Sequence, residues 1–162
     1  MGDVVMDIKD PKIEGDCTIQ GHEKKIIIES LSWGADAAVA TTSQGSGQTF
    51  GGSEVHELQL TKEVNLSSPK LFNHCAQGIE IKEIEIMMLA SGRQINKPIC
   101  TYNLKGVLVT RLSSGGGGNG PLSEMVSLAC REVNLVYHQL DEQGNFIDNW
   151  PASYDMKTMK AN

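Results

Sequence analysis

The stretch YNLKGVLVTRLSSGGGGNGPLSEMVSLACREVNLVY, residues Tyr102–Tyr137, decides the fold of this chain. Near its centre, Gly115, Gly117 and Gly120 match the G-x-G-x-x-G spacing of loops that bind dinucleotides. A loop of that kind leads from a strand into a helix, whose N-terminus then faces the phosphate. If a second strand follows instead, the glycines only connect the two strands of a hairpin.

The residues after the glycines partly fit a helix. Pro121 suits a first helical turn, and Asp141 lies about 20 residues beyond the last glycine, where an acidic residue would bind ribose. Apolar residues recur at helical spacing at Leu122, Met125, Val126, Ala129, Val133 and Val136. A nucleotide-binding domain is therefore kept as an alternative.

A strand fits the same residues better, because it also accounts for apolar residues that the helical stripe leaves out. With a slip at Arg131 and Glu132, the strand faces hold Val126, Leu128 and Cys130, and then Val133, Leu135 and Tyr137. Only 22 residues follow Leu140, too few for the further parallel strands of a dinucleotide fold. The loop is almost pure glycine, and no Gly-Lys-Ser/Thr follows it. We therefore predict a flexible connection between two long antiparallel strands that binds no phosphate.

Other segments of the chain also predict strands. Alternating or β-branched runs are typical of strands at VVMDI, KKIIIESLSWGAD, EVHELQLTKEV with a slip near His56, and GIEIKEIEIMMLAS. In the last run the apolar parity switches near Lys82 and Glu83, which indicates a β-bulge.

One segment, NLSSPKLFNHCAQG, predicts a short helix. Ser67 or Ser68 can cap it, Pro69 suits its first turn, and Gly78 can end it in a left-handed conformation. By contrast, Ala38–Ser53 is polar, small and glycine-rich, and we interpret it as a long loop.

Composition excludes several classes of function. A chain of 162 residues is long enough for one domain, which we expect to span 1–162. The net charge of −6 and the lack of a basic stripe argue against nucleic-acid binding. No apolar run approaches membrane-spanning length, and the first residues do not resemble a secretory signal. The four cysteines, Cys17, Cys75, Cys100 and Cys130, are far apart in sequence and predict free, buried thiols of a reducing cytoplasm.

No arrangement of reactive residues indicates an active site. The four histidines, His22, His56, His74 and His138, lack metal-ligand spacing, so we predict no metal, no cofactor and no enzymatic activity. Trp33 and Trp150 are more typical of core or interface anchors than of ligand platforms.

Taken in order, the motifs resemble those of the Hcp family, the tube subunits of bacterial type VI secretion systems. The resemblance covers nearly all of the chain. It rests on an Ile-x-Gly turn and Ser32-Trp33-Gly34 near the start, on Lys62 followed by Ser68-Pro69-Lys70-Leu71, on the hairpin whose return strand begins with Leu122, Glu124 and Val126, and on the closing YDMKTMKAN.

The resemblance implies a mainly β fold: a β-barrel of two antiparallel sheets with one short α-helix packed alongside. It also implies a homo-hexameric ring that stacks into a tube, contacts sheath and spike proteins, and carries small effector proteins in its lumen. Such a tube is built in the cytoplasm and then secreted without a signal peptide. By the same resemblance, the Ala38–Ser53 loop contacts a neighbouring subunit or ring. We expect Gln44, Gln48 and Phe50 to make that contact, since an aromatic residue in a polar, glycine-rich loop usually needs a surface to bury it. The alternative for this segment is a loop that is only mobile. The alternative is a monomeric β-barrel that binds a small ligand or glycan.

Overall fold

The computed structural model of the protein describes residues 2–41, 48–91, 96–158 and 160–161. Within these ranges the chain forms thirteen strands and one helix, α1 (Ser68–Gln77). The strands are β1 (Val4–Asp10), β2 (Lys12–Ile13), β3 (Ile26–Ile28), β4 (Ser30–Ser32), β5 (Ala35–Thr41), β6 (Gln48–Val55), β7 (Leu58–Glu63), β8 (Ile81–Leu89), β9 (Pro98–Gly115), β10 (Ser123–Ala129), β11 (Glu132–Leu140), β12 (Phe146–Asp155) and β13 (Lys160–Ala161).

The long strand β9 belongs to two antiparallel sheets. Its first half lies between β8 and β11, in a sheet that continues through β12 to β13 on one side and through β1 to β2 and β3 on the other. Its second half pairs with β10, which pairs with β7, which pairs with β4. The sharing of one strand bends the two sheets around a common interior.

A short segment, β3 to β4, joins the two sheets on the side away from β9, so that strands lie on both sides of the core. β3 pairs with β1 of the first sheet, and β4 pairs with β7 of the second, with only Glu29 between them. The Glu29 N–H donates to the carbonyl of Thr61 at 2.8 Å. The predicted fold class, a β-barrel of two antiparallel sheets with one short helix, is confirmed.

The core lies between the two sheets and under α1. Its fully buried members include Ile8, Leu60, Leu104 and Val126, and Leu71 of α1 packs into the same cluster. The predicted helix signals are confirmed at both ends: α1 follows Ser67, carries Pro69 in its first turn, and ends at Gly78, whose φ of 64° is left-handed. The Ser67 hydroxyl accepts no capping hydrogen bond from the first turn, and donates instead to the Asn65 side chain.

Strand prediction was correct where the alternation was clear. The slip near His56 is the break between β6 and β7, and the slip at Arg131 and Glu132 is the break between β10 and β11. The parity switch near Lys82 is also present, although the extra residue lies in β1, where Lys9 separates Ile8 and Asp10 opposite Ile84 and Glu83.

Two predictions need correction. The run predicted as one strand, KKIIIESLSWGAD, is divided among β3, β4 and β5. Most of the predicted Ala38–Ser53 loop is a hairpin, because β5 and β6 pair antiparallel from Ala35 with Val55 to Thr41 with Gln48. We call these two strands the arm. They form a separate two-stranded sheet outside the two sheets of the barrel.

Candidate functional site

The glycine loop lacks the geometry of a phosphate site. Gly115 is the last residue of β9, and Ser123, its directly paired partner, begins β10. The chain thus passes from strand to antiparallel strand, as predicted, so the glycines do not lead into a helix as those of a dinucleotide-binding loop do. A Cβ added at Gly115, Gly117, Gly118 or Gly120 would meet no atom within 4 Å, so the loop does not approach the rest of the described chain there.

The titratable residues remain dispersed in the folded chain. Within the described ranges, no three His, Cys, Asp or Glu side chains come together as a metal site. All four cysteines are free thiols, but the predicted burial is wrong for three of them, since only Cys17 is buried and Cys75, Cys100 and Cys130 are partly exposed. Burial raises the pKa of the half-buried Cys130 thiol to about 11, so this thiol is protonated and a weak nucleophile at neutral pH.

One buried ion pair links the barrel to the helix. Lys62 of β7 stands directly opposite Glu124 of β10, with Nζ 3.0 Å from Oε1, and their side chains are 0% and 2% exposed. The Lys62 ammonium also donates to the Glu63 carbonyl and to the Ser68 hydroxyl, at 3.0 and 3.1 Å. Among the described residues, Glu124 Oε1 has no hydrogen bond of good geometry, so its contact with Lys62 is mainly ionic. The pair therefore has a structural role, since it fixes the start of α1 against β7 and β10.

The arm is the first surface suited to contact another molecule. It leaves the barrel where the His56 N–H donates to the Gly34 carbonyl at 2.8 Å, and where the His56 ring lies 2.8 Å from Asp36. Val39 within the arm is 57% exposed. Of the predicted contact residues, Gln48 and Phe50 lie on β6, and Gln44 lies outside the described residues.

The second such surface lies on the core-facing side of the first sheet. Three rows of directly paired residues cross strands β1, β8, β9, β11 and β12 on this side. The innermost row is Ile8, Ile84, Leu104, Val133 and Tyr154; the middle row is Met6, Ile86, Tyr102, Leu135 and Ala152; the outer row is Val4, Met88, Cys100, Tyr137 and Trp150.

Burial falls along these rows towards β12. The innermost row is buried from Ile8 to Val133, whereas in the outer row Tyr137 is 52% and Trp150 59% exposed. The sheet thus extends beyond the core that should cover it. We call its uncovered part the overhang, formed by Cys100, Tyr102, Leu135, Tyr137, Trp150 and Ala152.

Local contacts set the shape of the overhang. Trp33 packs edge-on against Tyr102, with ring centroids 5.7 Å apart and planes at 82°. The Trp150 indole donates to Gln139 at 3.2 Å. Burial raises the pKa of both Cys100 and Tyr102, which agrees with their position at the buried margin of this surface. The opposite side of the same strands is polar, with Lys105 directly between Glu83 and Glu132.

Sequence reasoning missed the overhang. It predicted that Trp150 is a core or interface anchor, and the structure excludes the core, because Trp150 is 59% exposed. A signal was present, because Leu135 and Tyr137 continue the buried parity of Val133 with no polar interruption. What the sequence lacked was the register that aligns Trp150 with Tyr137 and Cys100.

Within the described chain, no helix combines the length and apolarity needed to cross a membrane.

Comparisons with known proteins agree with this fold and these motifs. A family model described as "Type VI secretion system effector, Hcp" matches residues 5–140. Protein hcp1 of Pseudomonas aeruginosa is 30% identical over 101 residues, and this aligned part is 62% of the length of each chain.

Solved structures resemble the whole chain. One described as a type six secretion system protein has a TM-score of 0.90 at 23% identity and full coverage of both chains. Hcp1 from Salmonella typhimurium has a TM-score of 0.75 at 26% identity, again with full coverage of both chains. Because the family model spans most of the residues, the chain belongs to the Hcp family of the type VI secretion system.

Proposed function

We propose that the chain, as one domain, is the tube subunit of a type VI secretion system. Six copies close into a ring, rings stack into a tube, and the tube is built in the cytoplasm and secreted without a signal peptide. Its work is mechanical, so it is not an enzyme and needs no cofactor. Membership of the Hcp family carries this proposal.

The arm supports assembly on independent physical grounds. An isolated two-stranded hairpin is at best marginally stable in water and gains stability by packing on another surface. Residues 37–53 of the arm region carry no charge in a chain with 21% charged residues, so packing them against another subunit would desolvate no charged group. Gln44, Gln48 and Phe50 are the residues we propose to contact the adjoining subunit or ring.

The partners follow from a tube of this kind. Small effector proteins occupy its lumen, and sheath and spike proteins contact the assembled tube. The net charge of −6 per copy disfavours nucleic acid as cargo.

Light scattering after size exclusion, under reducing conditions, tests the ring. We expect a mass six times that of the 17.6 kDa chain. A clean monomer at high concentration would contradict the proposal and favour a monomeric ligand-binding barrel.

A shortened arm provides the control. Ala37 pairs with Ser53, so an Asn-Gly turn joining these two residues removes most of the arm and keeps the pairing beneath it. This variant should keep the strand signal and the cooperative unfolding of the barrel but elute as a monomer. A shortened variant that still forms rings would show that the arm is not an assembly contact.

A further inference from the structure

We propose that the overhang of one copy receives the arm of a second copy. This inference rests on the ring assembly proposed above and names the surface that accepts the arm. The arm and the overhang are then the two halves of one interface.

The overhang has the properties of a binding surface for an uncharged partner. Its side chains are aromatic, aliphatic, small or thiol, and none carries a charge at neutral pH. Trp and Tyr at the centre of an interface commonly contribute most of the binding energy. Since the innermost row already belongs to the core, a partner on the overhang would extend an existing apolar layer rather than form a new one.

The arm is compatible with that surface, because it is also uncharged and because it is thin. Its described residues outside the flanking Asp36 and Glu54 are Ala, Val, Thr, Gln, Phe, Gly and Ser. Gly51 lies so close to the paired strand that an added Cβ would sit 3.2 Å from the Ala38 carbonyl oxygen. A thin, uncharged hairpin of this kind can lie flat against a surface of large aromatic rings without stranding a charge.

A second copy fits these surfaces better than the chain's own arm or a cargo protein. The arm starts at Ala35, two residues after Trp33 contacts Tyr102, yet Tyr137 and Trp150 are still more than half exposed within one copy. Each chain has one arm and one overhang, and a contact between two different surfaces repeats around a ring until both are used on every copy. A cargo protein present once per ring would leave most overhangs uncovered.

A photo-crosslinker at Val39 tests the contact directly. We expect benzoylphenylalanine at this position to yield covalent dimers, with the adduct on peptides from β11 or β12 of the second copy. The same crosslinker at Asn73, exposed on α1, should yield no such adduct.

Two alanine variants give a second measurement. Trp150→Ala should weaken assembly about 30-fold or more, the effect of losing an interface hot spot. Phe72→Ala is the matched control, because Phe72 is 58% exposed, close to the 59% of Trp150, but lies on α1. It should assemble as the unchanged protein does.

The outcomes separate this inference from the proposed function. Rings that form normally with Trp150→Ala, or adducts from Val39 that map to other surfaces or within one copy, would overturn the inference and leave the ring intact. A monomeric unchanged protein would overturn both. Adducts on β11 or β12 together with weaker assembly of Trp150→Ala would support it.

Discussion

At the scale of single residues, we expect the fold to be most sensitive to loss of one partner of the buried ion pair between Lys62 and Glu124. Lys62→Met leaves the Glu124 carboxylate in the core without its counter-charge, and breaking such a pair costs about 3–5 kcal/mol. We expect the free energy of unfolding to fall by that amount, measured by urea titration at one fixed protein concentration. Lys9 is the control, because its Nζ lies 2.6 Å from Glu85 Oε2 in a pair that is partly exposed to solvent. Lys9→Met should lower the free energy of unfolding by less than about 1 kcal/mol.

A double variant separates the ion pair from the other contacts of Lys62. In Lys62→Met with Glu124→Leu, an apolar pair replaces the charged pair, a change that is often close to neutral. Most of the lost stability should return. A double variant as unstable as Lys62→Met would instead indicate that the bonds from Lys62 to Glu63 and Ser68 carry the effect.

Burial of Cys130 predicts a pH dependence that alkylation can measure. With its pKa raised from 9.0 to about 11, Cys130 holds its proton more tightly in the folded protein than in the unfolded chain. Its contribution to stability is therefore complete below pH 9 and is lost as the pH rises through 11. At pH 9, iodoacetamide should modify Cys130 more slowly in the native protein than in urea, as followed by peptide mass spectrometry. Equal rates would contradict this reading of its burial.

At the scale of elements, the connection between β2 and β3 requires glycine at position 15, because the backbone before β3 packs directly against it. An added Cβ would lie 2.6 Å from the Lys25 carbonyl oxygen and 2.8 Å from the Cα of Ile26, so the backbone would have to move. Gly15→Ala should lower the free energy of unfolding by about 1–3 kcal/mol, measured in urea. Gly117→Ala, where the added Cβ meets open space, should change it by less than about 0.5 kcal/mol. Similar losses at both positions would exclude the clash as the cause.

The elements predicted correctly from the sequence are those with strong local signals. Pro69 and Gly78 mark the ends of α1 by fixing backbone angles within a few residues, and the alternation around Val126 and Leu128 marks β10. These signals do not depend on distant parts of the chain. The antiparallel hairpin around the glycine loop was predicted correctly for the same reason, since the residues after the loop alternate.

The arm was missed because its strands lack such signals. Alanine and glycine are poor strand formers, and the sequence of residues 37–53 shows no alternation of apolar and polar residues. The division at Glu29 was missed because only the partners, β1 and β7, distinguish β3 from β4. For the candidate site, the sequence indicated the arm region but not the overhang, since the overhang depends on the register of three strands, β9, β11 and β12.

At the scale of the whole molecule, net charge predicts how assembly responds to salt. Each copy carries a formal charge of −6, so copies repel one another at low ionic strength. The arm region from 37 to 53 and the overhang carry no charges, so salt has no ion pair to weaken between them. Since the Debye length falls from about 30 Å at 0.01 M to about 8 Å at 0.15 M salt, added salt should strengthen assembly.

Sedimentation velocity over a series of salt concentrations measures this effect. The fraction of protein in rings should rise between 0.01 and about 0.15 M salt and then level off, as expected when screening removes a repulsion. Asp3→Lys replaces one negative charge with a positive one at an exposed site and should raise the ring fraction mainly at low salt. If added salt instead dissociated the rings, ion pairs would have to hold the subunits together. The uncharged contact between arm and overhang would then not be the main interface.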